Sequence, residues 1–436
     1  MSTKMKNKPT ISFVVRNKLC NGCGICVDAC PTQAISMKTQ KGLFVPIINN
    51  NLCINDKGCS KCFQVCPGIG IDLKNKSKQL YEQNDCKYDN FIGYHQNCYS
   101  GFSNDHNIRY HSASGGLLSQ LLIYLLQKKL IAGAVVTRFK QEFPSTPETI
   151  IATSREEILS GKSSKYCPVS QDGIISEIKK REGKYVIVGL PCHIHGFRKY
   201  EKTDSVFRDK VLGYFSIYCS STRTFLATEY LFNYYKIDPK NLNYFAYRDD
   251  GCLGFLKAIS DNQEIKVPYR KYYSQLRSFF KPKRCLTCID HYGYLADICF
   301  GDIQTGRYKS DTIGVNSVIT RSRYFDDLIV QAKNEGVISL KYINSSIINE
   351  SQQEMLQQIK KNIFALNMVI DKMLGNAIPK YDVMLEKSFS MRSLFLYISI
   401  KIQRQIGKHK IFWFIIKFIN KLSEKKYTLF KSNGEV

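Results

Sequence analysis

Cysteine carries most of the chemistry this sequence can do. Cys20, Cys23, Cys26 and Cys30, followed by Pro31, are spaced C-x2-C-x2-C-x3-C-P. That spacing wraps three thiolates around one 4Fe–4S cube and sends the fourth to a neighbouring cube. Cys53, Cys59, Cys62 and Cys66, followed by Pro67, supply the complementary set. The expected pairing is Cys20, Cys23, Cys26 and Cys66 on one cube, with Cys30, Cys53, Cys59 and Cys62 on the other. CxxC repeats also serve zinc, but tetrahedral zinc closes on two such pairs and asks for neither a third two-residue step nor the proline. One spacing departs from the pattern. Ile54 to Gly58 separate Cys53 from Cys59 where two residues are usual, which makes Cys53 the weakest of the eight positions.

A further set is scattered along the chain. Tyr185 to Val188 is a continuous apolar run, as expected of a buried parallel strand, and it leads into Gly189-Leu190-Pro191-Cys192-His193-Ile194-His195. Val211 to Tyr218 delivers Cys219 in the same way. Ligands of open α/β sheets collect beyond the carboxyl ends of strands, where both cysteines fall. Cys285-Leu286-Thr287-Cys288 follows, with Asp290 two residues on. A CxxC alone reads as a redox disulfide, a zinc site or a cluster site; with Cys192 and Cys219 it completes the four thiolates of a third cube. Cys86, Cys98, Cys167, Cys252 and Cys299 are left as packing residues. His193 and His195 are expected to make hydrogen bonds around the site rather than to bind metal. With Asp290 they are the titratable groups beside it, and no catalytic acid or base is identified.

Two loops offer anion chemistry. Ser112-Ala113-Ser114-Gly115-Gly116 precedes an apolar helix over Leu117 to Gln127, so its N–H groups either meet a phosphate or simply cap the helix. Ser163 to Pro168 is a second polar loop before a helix over Ile174 to Arg181. The strand beginning at Gly314 ends in Thr320-Arg321, a pair suited to phosphate.

The elements that must position these groups follow from the pattern. A chain of 436 residues, 44% apolar and 12% aromatic, holds two to three domains. Ile11 to Val15 reads as a strand, Ala34 to Met37 and Leu43 to Ile48 as a hairpin, and Asp72 to Asn90 as a linker. From Phe91 helices and strands alternate, including a strand over Gly133 to Thr137, which is the mark of an α/β unit. Leu340 to Asp382 reads as mostly helical. No run reaches the ~18 apolar residues of a membrane span.

The formal charge of +26 overstates the working charge, since three cubes with their thiolates remove roughly six units. Most of the remainder reads as a lysine-rich solvated surface, and no basic helix with base-reading side chains supports nucleic-acid binding. The absence of an apolar leader within Met1 to Thr10, together with many free thiols, points to a reducing, cytoplasmic setting. In the tail, Leu394, Ile398, Ile402 and Ile406 repeat at four-residue intervals, continued by Phe412, Ile415, Ile416 and Ile419. Lys401, Arg404, Lys408, Lys410, Lys417 and Lys421 accompany them, and Gly407 divides two helices. Such a tail either lies on anionic lipid at the inner face of the membrane or packs on the body.

Taken together, the motifs resemble the beta-subunit family of coenzyme F420 (deazaflavin) hydrogenases and dehydrogenases. The carriers are Ser112 to Gly116, Ser164-Lys165-Tyr166, Gly189 to Cys192, Tyr218-Cys219-Ser220, Cys285 to Asp290, Ala296-Asp297-Ile298 with Gly301-Asp302, and Gly314-Val315-Asn316. The family includes bacterial members associated with surface-polysaccharide genes. The resemblance implies an α+β ferredoxin-like N-terminal domain, then an α/β flavin-binding domain and a helical C-terminal tail. Its boundaries are a two-cluster ferredoxin domain over 1–75, an FAD and iron–sulfur oxidoreductase domain over 91–335, a helical extension over 336–386 and a basic amphipathic tail over 387–436. It implies FAD, contacted by Ser114, Gly115, Gly116, Lys165, Pro191 and Asn316, beside a cluster on Cys192, Cys219, Cys285 and Cys288. The expected activity is oxidoreduction between 4Fe–4S clusters and a two-electron substrate or coenzyme, with a redox partner protein or reduced ferredoxin. The alternative is an electron-transfer subunit serving a partner enzyme.

Overall fold

The computed structural model describes residues 8–82, 86–353, 360, 362–383 and 390–432. The boundary expected at 387 and part of the basic N-terminal stretch lie outside them. An eight-stranded sheet runs in the spatial order 338–342, 97–103, 316–320, 298–302, 211–217, 185–189, 133–139, 147–152. Gly133–Phe139, Tyr185–Gly189, Val211–Ile217 and Ile298–Asp302 are parallel, and the flanking strands are antiparallel. The parallel strands are apolar on both sides because both faces are covered. Helices Leu117–Gln127 and Arg323–Asn334 bury Leu121, Phe325 and Ile329 against Val186, Phe215 and Phe300 on one face. Helices Ile174–Lys180 and Pro191–Tyr200 bury Ile174, Ile194 and Phe197 against Ile187 and Tyr214 on the other. Each such side chain contributes about 1.5–3 kcal/mol.

The N-terminal module has the expected hairpin, Ile35–Gln40 with Leu43–Ile48, registered from Ile35 against Ile48 to Gln40 against Leu43. Its first element differs from expectation. Ile11–Arg16 is a helix, because Ile11 and Val14, three apart, both face inward while Phe13 is 37% exposed. The module shares one apolar core with the larger domain: Ile25, Ala29 and Val65 pack with Ile174, Ile194 and Phe197. Gly24, at φ +83, lets the cluster loop lie on Asp172, whose backbone nitrogen would stand 2.6 Å from any added Cβ. Asp28 then accepts hydrogen bonds from the N–H groups of Gly173 and Ser176 at the start of the next helix.

Several expected boundaries move. The stretch read as a linker contains helix Leu73–Tyr81 and strand Lys87–Asp89, and Leu73 and Tyr81 are buried. Ile338–Tyr342 is a sheet strand paired with Asn97–Ser103, so the large domain passes 335 and the extension does not begin as helix. Lys380–Tyr381 returns to pair with Gly70–Ile71 of the ferredoxin module. A three-stranded sheet, Leu242–Asp249, Phe255–Ser260 and Gln263–Pro268, was not foreseen. The tail helices Met391–Lys408 and Trp413–Ser432 dock beside this sheet, burying Trp413 and Ile416 with Tyr230, Phe279 and Phe280.

Candidate functional site

The cysteines of the ferredoxin module separate into two groups. Cys20, Cys23, Cys26 and Cys66 lie close enough to repel one another as thiolates. Burial, then the charge of Cys66, pushes the Cys20 thiol up to about 12, although the Gly22 N–H and Arg284 favour its ionised form. The Cys66 sulfur also accepts from Gly68 N–H at 3.3 Å, and Lys199 holds the Cys66 carbonyl at 2.9 Å. Cys30, Cys53, Cys59 and Cys62 line a separate cavity with Thr10, Pro31, Thr32, Ile35, Ile48 and Ile54. The longer Cys53 loop is taken up by the turn Asn55–Lys57, whose Asn55 side chain donates to the Cys59 carbonyl at 2.7 Å. Cys53 therefore stands with the other three despite its spacing.

The scattered cysteines also meet. Strand Tyr185–Gly189 feeds helix Pro191–Tyr200, which carries Cys192 in its first turn. Strand Val211–Ile217 delivers Cys219, whose N–H donates to the His291 carbonyl at 3.0 Å. The short turn Arg284–Thr287 presents Cys285, with Cys288 just beyond it. All four line one cavity with Pro191, His193, Ser220 to Thr222, Arg284, Asp290 and Lys360. Burial and then the charges of Cys288 and Cys285 push the Cys192 thiol up to about 12, and Cys219 is raised by burial, then by Cys192 and Cys285. Four thiols converging on one cavity form a donor set that suits a 4Fe–4S cube.

Polar groups beside this set are fixed. His195 Nε2 lies 2.8 Å from Asp290 Oδ2, both side chains fully buried. Asp290 Oδ2 also accepts from Tyr294 N–H, and burial is outweighed by His195 in holding Asp290 ionised. Burial drives His193 and His291 down to about 4, so both are neutral. Lys360, 1% exposed, donates to the carbonyls of Cys288 and Asp290 at 2.9 and 3.2 Å. The set adjoins the ferredoxin module: Asn21 lines its cavity and hydrogen-bonds Cys192, and Cys23 feels the Cys192 charge.

The residues expected to hold a flavin are placed less simply. Asn316 Oδ1 accepts from Gly115 N–H at 2.9 Å and Leu117 N–H at 3.1 Å, so the Ser-Gly-Gly turn does not present those groups to a phosphate. Ser114 Oγ donates to the Val315 carbonyl, and Gly314, at φ +123, admits Ser114 so closely that a Cβ would meet its oxygen at 1.9 Å. Gly116, at φ +73, caps the helix. Lys165 Nζ binds the carbonyls of Gly161, Lys162 and Ser163, and burial lowers it to about 7. Pro191 lines the cysteine cavity. Arg321 is a correction: 1% exposed, it donates to the carbonyls of Ile92 and Tyr292 and is not available to a phosphate.

Beside the Lys165 loop lies a cluster of aromatic and cationic side chains the sequence did not reveal. The rings of Tyr166, Tyr269 and Tyr273 cluster at 4.8–5.9 Å, with Arg223 over Tyr273 and Arg248 over Tyr269. Arg248 pairs with Asp302 at 2.8 Å, and Arg223 Nε is buried without a partner among the described residues. The only hint was position: Arg223 follows the Cys219 loop and Asp302 ends a parallel strand.

Comparison with known proteins agrees with this layout. Residues 98–175 match the amino-terminal family model of the coenzyme F420 hydrogenase/dehydrogenase beta subunit, residues 182–346 match its carboxy-terminal counterpart, and residues 19–68 match the 4Fe-4S dicluster domain. The beta subunit of the coenzyme F420 hydrogenase of Methanothermobacter thermautotrophicus is 24% identical over 66% of this chain and 99% of its own length. A subunit of the F(420)H(2) dehydrogenase of Methanosarcina mazei is 22% identical over 73% of this chain and 84% of its own. One polypeptide of the F420-reducing [NiFe] hydrogenase complex from Methanosarcina barkeri superposes with a TM-score of 0.52 at 18% identity, covering 67% of this chain and 98% of that one, which establishes likeness of fold. With the two beta-subunit models together spanning more than half of its length, the chain belongs to the coenzyme F420 hydrogenase/dehydrogenase beta-subunit family, an iron–sulfur branch of the oxidoreductases, and carries its own 4Fe–4S dicluster domain.

Proposed function

We propose that this chain is an iron–sulfur flavoprotein subunit that moves electrons between a redox partner protein and a two-electron substrate or coenzyme. The convergence of Cys192, Cys219, Cys285 and Cys288 from three separate segments, beside Cys23 of the ferredoxin module, carries the reading. Eight thiols of the ferredoxin module hold two cubes, and the convergent four hold a third. The tyrosine cluster with Lys165, Arg223 and Arg248 offers chemistry suited to FAD. The rings offer stacking surface, Arg223 Nε is an unused buried donor, and Arg223 directly follows Ser220 to Thr222 of the cysteine cavity. When bound there, FAD supplies the exchange between one-electron and two-electron carriers. The chain's own part is to hold the site dry, with His193 and His291 neutral and Asp290 fixed by His195.

Anaerobically purified protein is expected to contain ~12 irons and bound flavin; ~8 irons contradicts the third cube. Full iron with no flavin after reconstitution, and no turnover by the isolated chain, favours a subunit that serves a partner enzyme, as the names of its relatives as subunits suggest.

The setting is cytoplasmic, at an anionic membrane face. No helix among the described residues is long and apolar enough to cross a membrane. The tail helices bury one stripe, Ile400, Arg404, Gly407, Trp413, Ile416 and Asn420, against the body. They leave Phe395, Ile398, Ile402, Phe414 and Phe418 between 45% and 68% exposed beside exposed Lys408, Lys410 and Lys421. An apolar stripe with cationic neighbours suits anionic lipid. Replacing Phe395, Phe414 and Phe418 by serine spares the buried stripe and is expected to abolish sedimentation with anionic vesicles. Equal, negligible binding by both forms contradicts the membrane reading.

A further inference from the structure

Arg284 stands in the wall between two four-thiol sets. It precedes Cys285, is 4% exposed, and lines the cavity of the inner set. Its charge also acts on Cys20 and Cys66 of the ferredoxin module and on Cys192. One end of the guanidinium is tied down: Nη2 donates to the Pro67 carbonyl at 3.1 Å and to the Tyr381 hydroxyl at 2.7 Å. Tyr381 is itself set by pairing of Lys380–Tyr381 with Gly70–Ile71. Thus the residue after the last ferredoxin cysteine and a strand from the far end of the chain both fix one arginine.

The other end is not satisfied. Nε and Nη1 are buried with no partner among the described residues. Leaving such donors unmade costs about 1–3 kcal/mol, more for a charged group, so a buried arginine serving only the fold is normally saturated. Arg198 illustrates this, donating to Leu295, Tyr81, Asp297 and Glu201. Arg321 shares the unpartnered Nε and Nη1, but its neighbours Cys86, Cys98 and Cys299 lie outside every four-cysteine set.

We infer that Arg284 is a positioning residue shared by two cubes, the one on Cys20, Cys23, Cys26 and Cys66 and the one on the inner set, donating its free N–H groups to cluster sulfur and raising both reduction potentials together. The inference rests on the proposed third cube. Each cube gains one negative charge on reduction, and a fixed cation with N–H···S bonds stabilises that state. A cation common to both keeps their potentials matched, and it screens the repulsion between two anionic cubes in a water-poor wall.

The test is potentiometric titration followed by electron paramagnetic resonance on anaerobic full-length protein, with iron content measured in parallel. Arg284→Gln is expected to keep its iron and to lower the reduced-to-oxidised ratio of both inner cubes about tenfold at a fixed potential, ~59 mV for a one-electron couple. The cube on Cys30, Cys53, Cys59 and Cys62 is expected to stay unchanged. Arg284→Lys keeps the charge without the fork and is expected to shift less. If Arg284→Gln loses iron, Tyr381→Phe removes only the anchoring hydroxyl and is expected to shift the same two cubes in the same direction by less. Full iron with unshifted ratios in Arg284→Gln, an equal shift at the outer cube, or an unshifted Tyr381→Phe where the glutamine variant is unloaded overturns the inference. A wild type with ~8 irons overturns the third-cube reading beneath it, whereas ~12 irons with unshifted ratios overturns the inference alone.

Discussion

The outermost and innermost cysteine sets use the same four-thiol chemistry in opposite surroundings. Among the described residues, the cavity of Cys30, Cys53, Cys59 and Cys62 has no charged side chain in its wall. Exposure does not separate the two sets, since three of those cysteines and all four of the inner set are half-buried; charge does. The inner cavity has Arg284, Lys360 and Asp290 in its wall, and Lys281 and Arg404 act on Cys285 from behind. Burial alone disfavours adding an electron, as it disfavours ionising the thiols. Fixed cations offset that cost, and Arg284, Lys360 and Arg404 stand here against the one carboxylate of Asp290, while burial lowers Lys281 to about 7. On the proposed reading, this difference in charge sets the inner cube at a higher potential than the outer one.

Removing the inner set altogether should produce the largest effect. Cys285→Ser is expected to lose about four of ~12 irons while the ferredoxin pair keeps its spectrum; an unchanged iron count breaks the comparison at once. Cys53→Ser is the matching cut at the outer end, and is expected to cost the outer cube and leave the inner two spectroscopically intact. Loss of no iron would remove Cys53 from its set. A subtler change is Lys360→Met, which takes one cation from the inner wall. About a tenfold fall in the reduced fraction of the inner cube, with the outer cube unmoved, is the expected result; a shift at both cubes would mean the effect is global.

The smallest expected effect concerns the tyrosine cluster. Burial lowers Lys165 to about 7, whereas an unfolded lysine titrates near 10.4. Between those values the unfolded chain holds the proton and the folded chain does not, so stability rises with pH through that window. The stability of Lys165→Met relative to the wild type is therefore expected to fall from pH 7 towards pH 10 in thermal melts of flavin-free protein, on top of a pH-independent loss of the bonds to the Gly161, Lys162 and Ser163 carbonyls. A pH-independent difference contradicts it.

How much of this was legible varies with the kind of signal. The ferredoxin spacing is local, so its eight cysteines and their hairpin could be placed from sequence. Cys192 and Cys219 were legible because strand ends announce themselves as apolar runs stopping at Gly189 or Tyr218. Ile11 to Val15 misled because five residues fit either period, and burial of Ile11 and Val14 by the rest of the module decides it. Arg284 was visible beside a CxxC, but its meaning depends on Pro67 and Tyr381, far away in sequence. Lys360 left no signal at all, since only folding brings it to Cys288. The Ser-Gly-Gly turn left phosphate binding and helix capping both open, because nothing local shows that Asn316, two hundred residues on, takes its N–H groups.

The tail shows the packed alternative and leaves surface for the other. Its helices are packed on the body through one stripe and leave a second apolar stripe outward. The repeat and its continuation divide between the two stripes: Ile398 and Ile402 are exposed, while Ile416 is buried.

The most direct test of the central contrast is the order in which the cubes of the wild-type protein are reduced as the potential is lowered, followed by electron paramagnetic resonance. The inner set on Cys192, Cys219, Cys285 and Cys288 is expected to be reduced before the set on Cys30, Cys53, Cys59 and Cys62. Reduction of the outer set first would contradict the account.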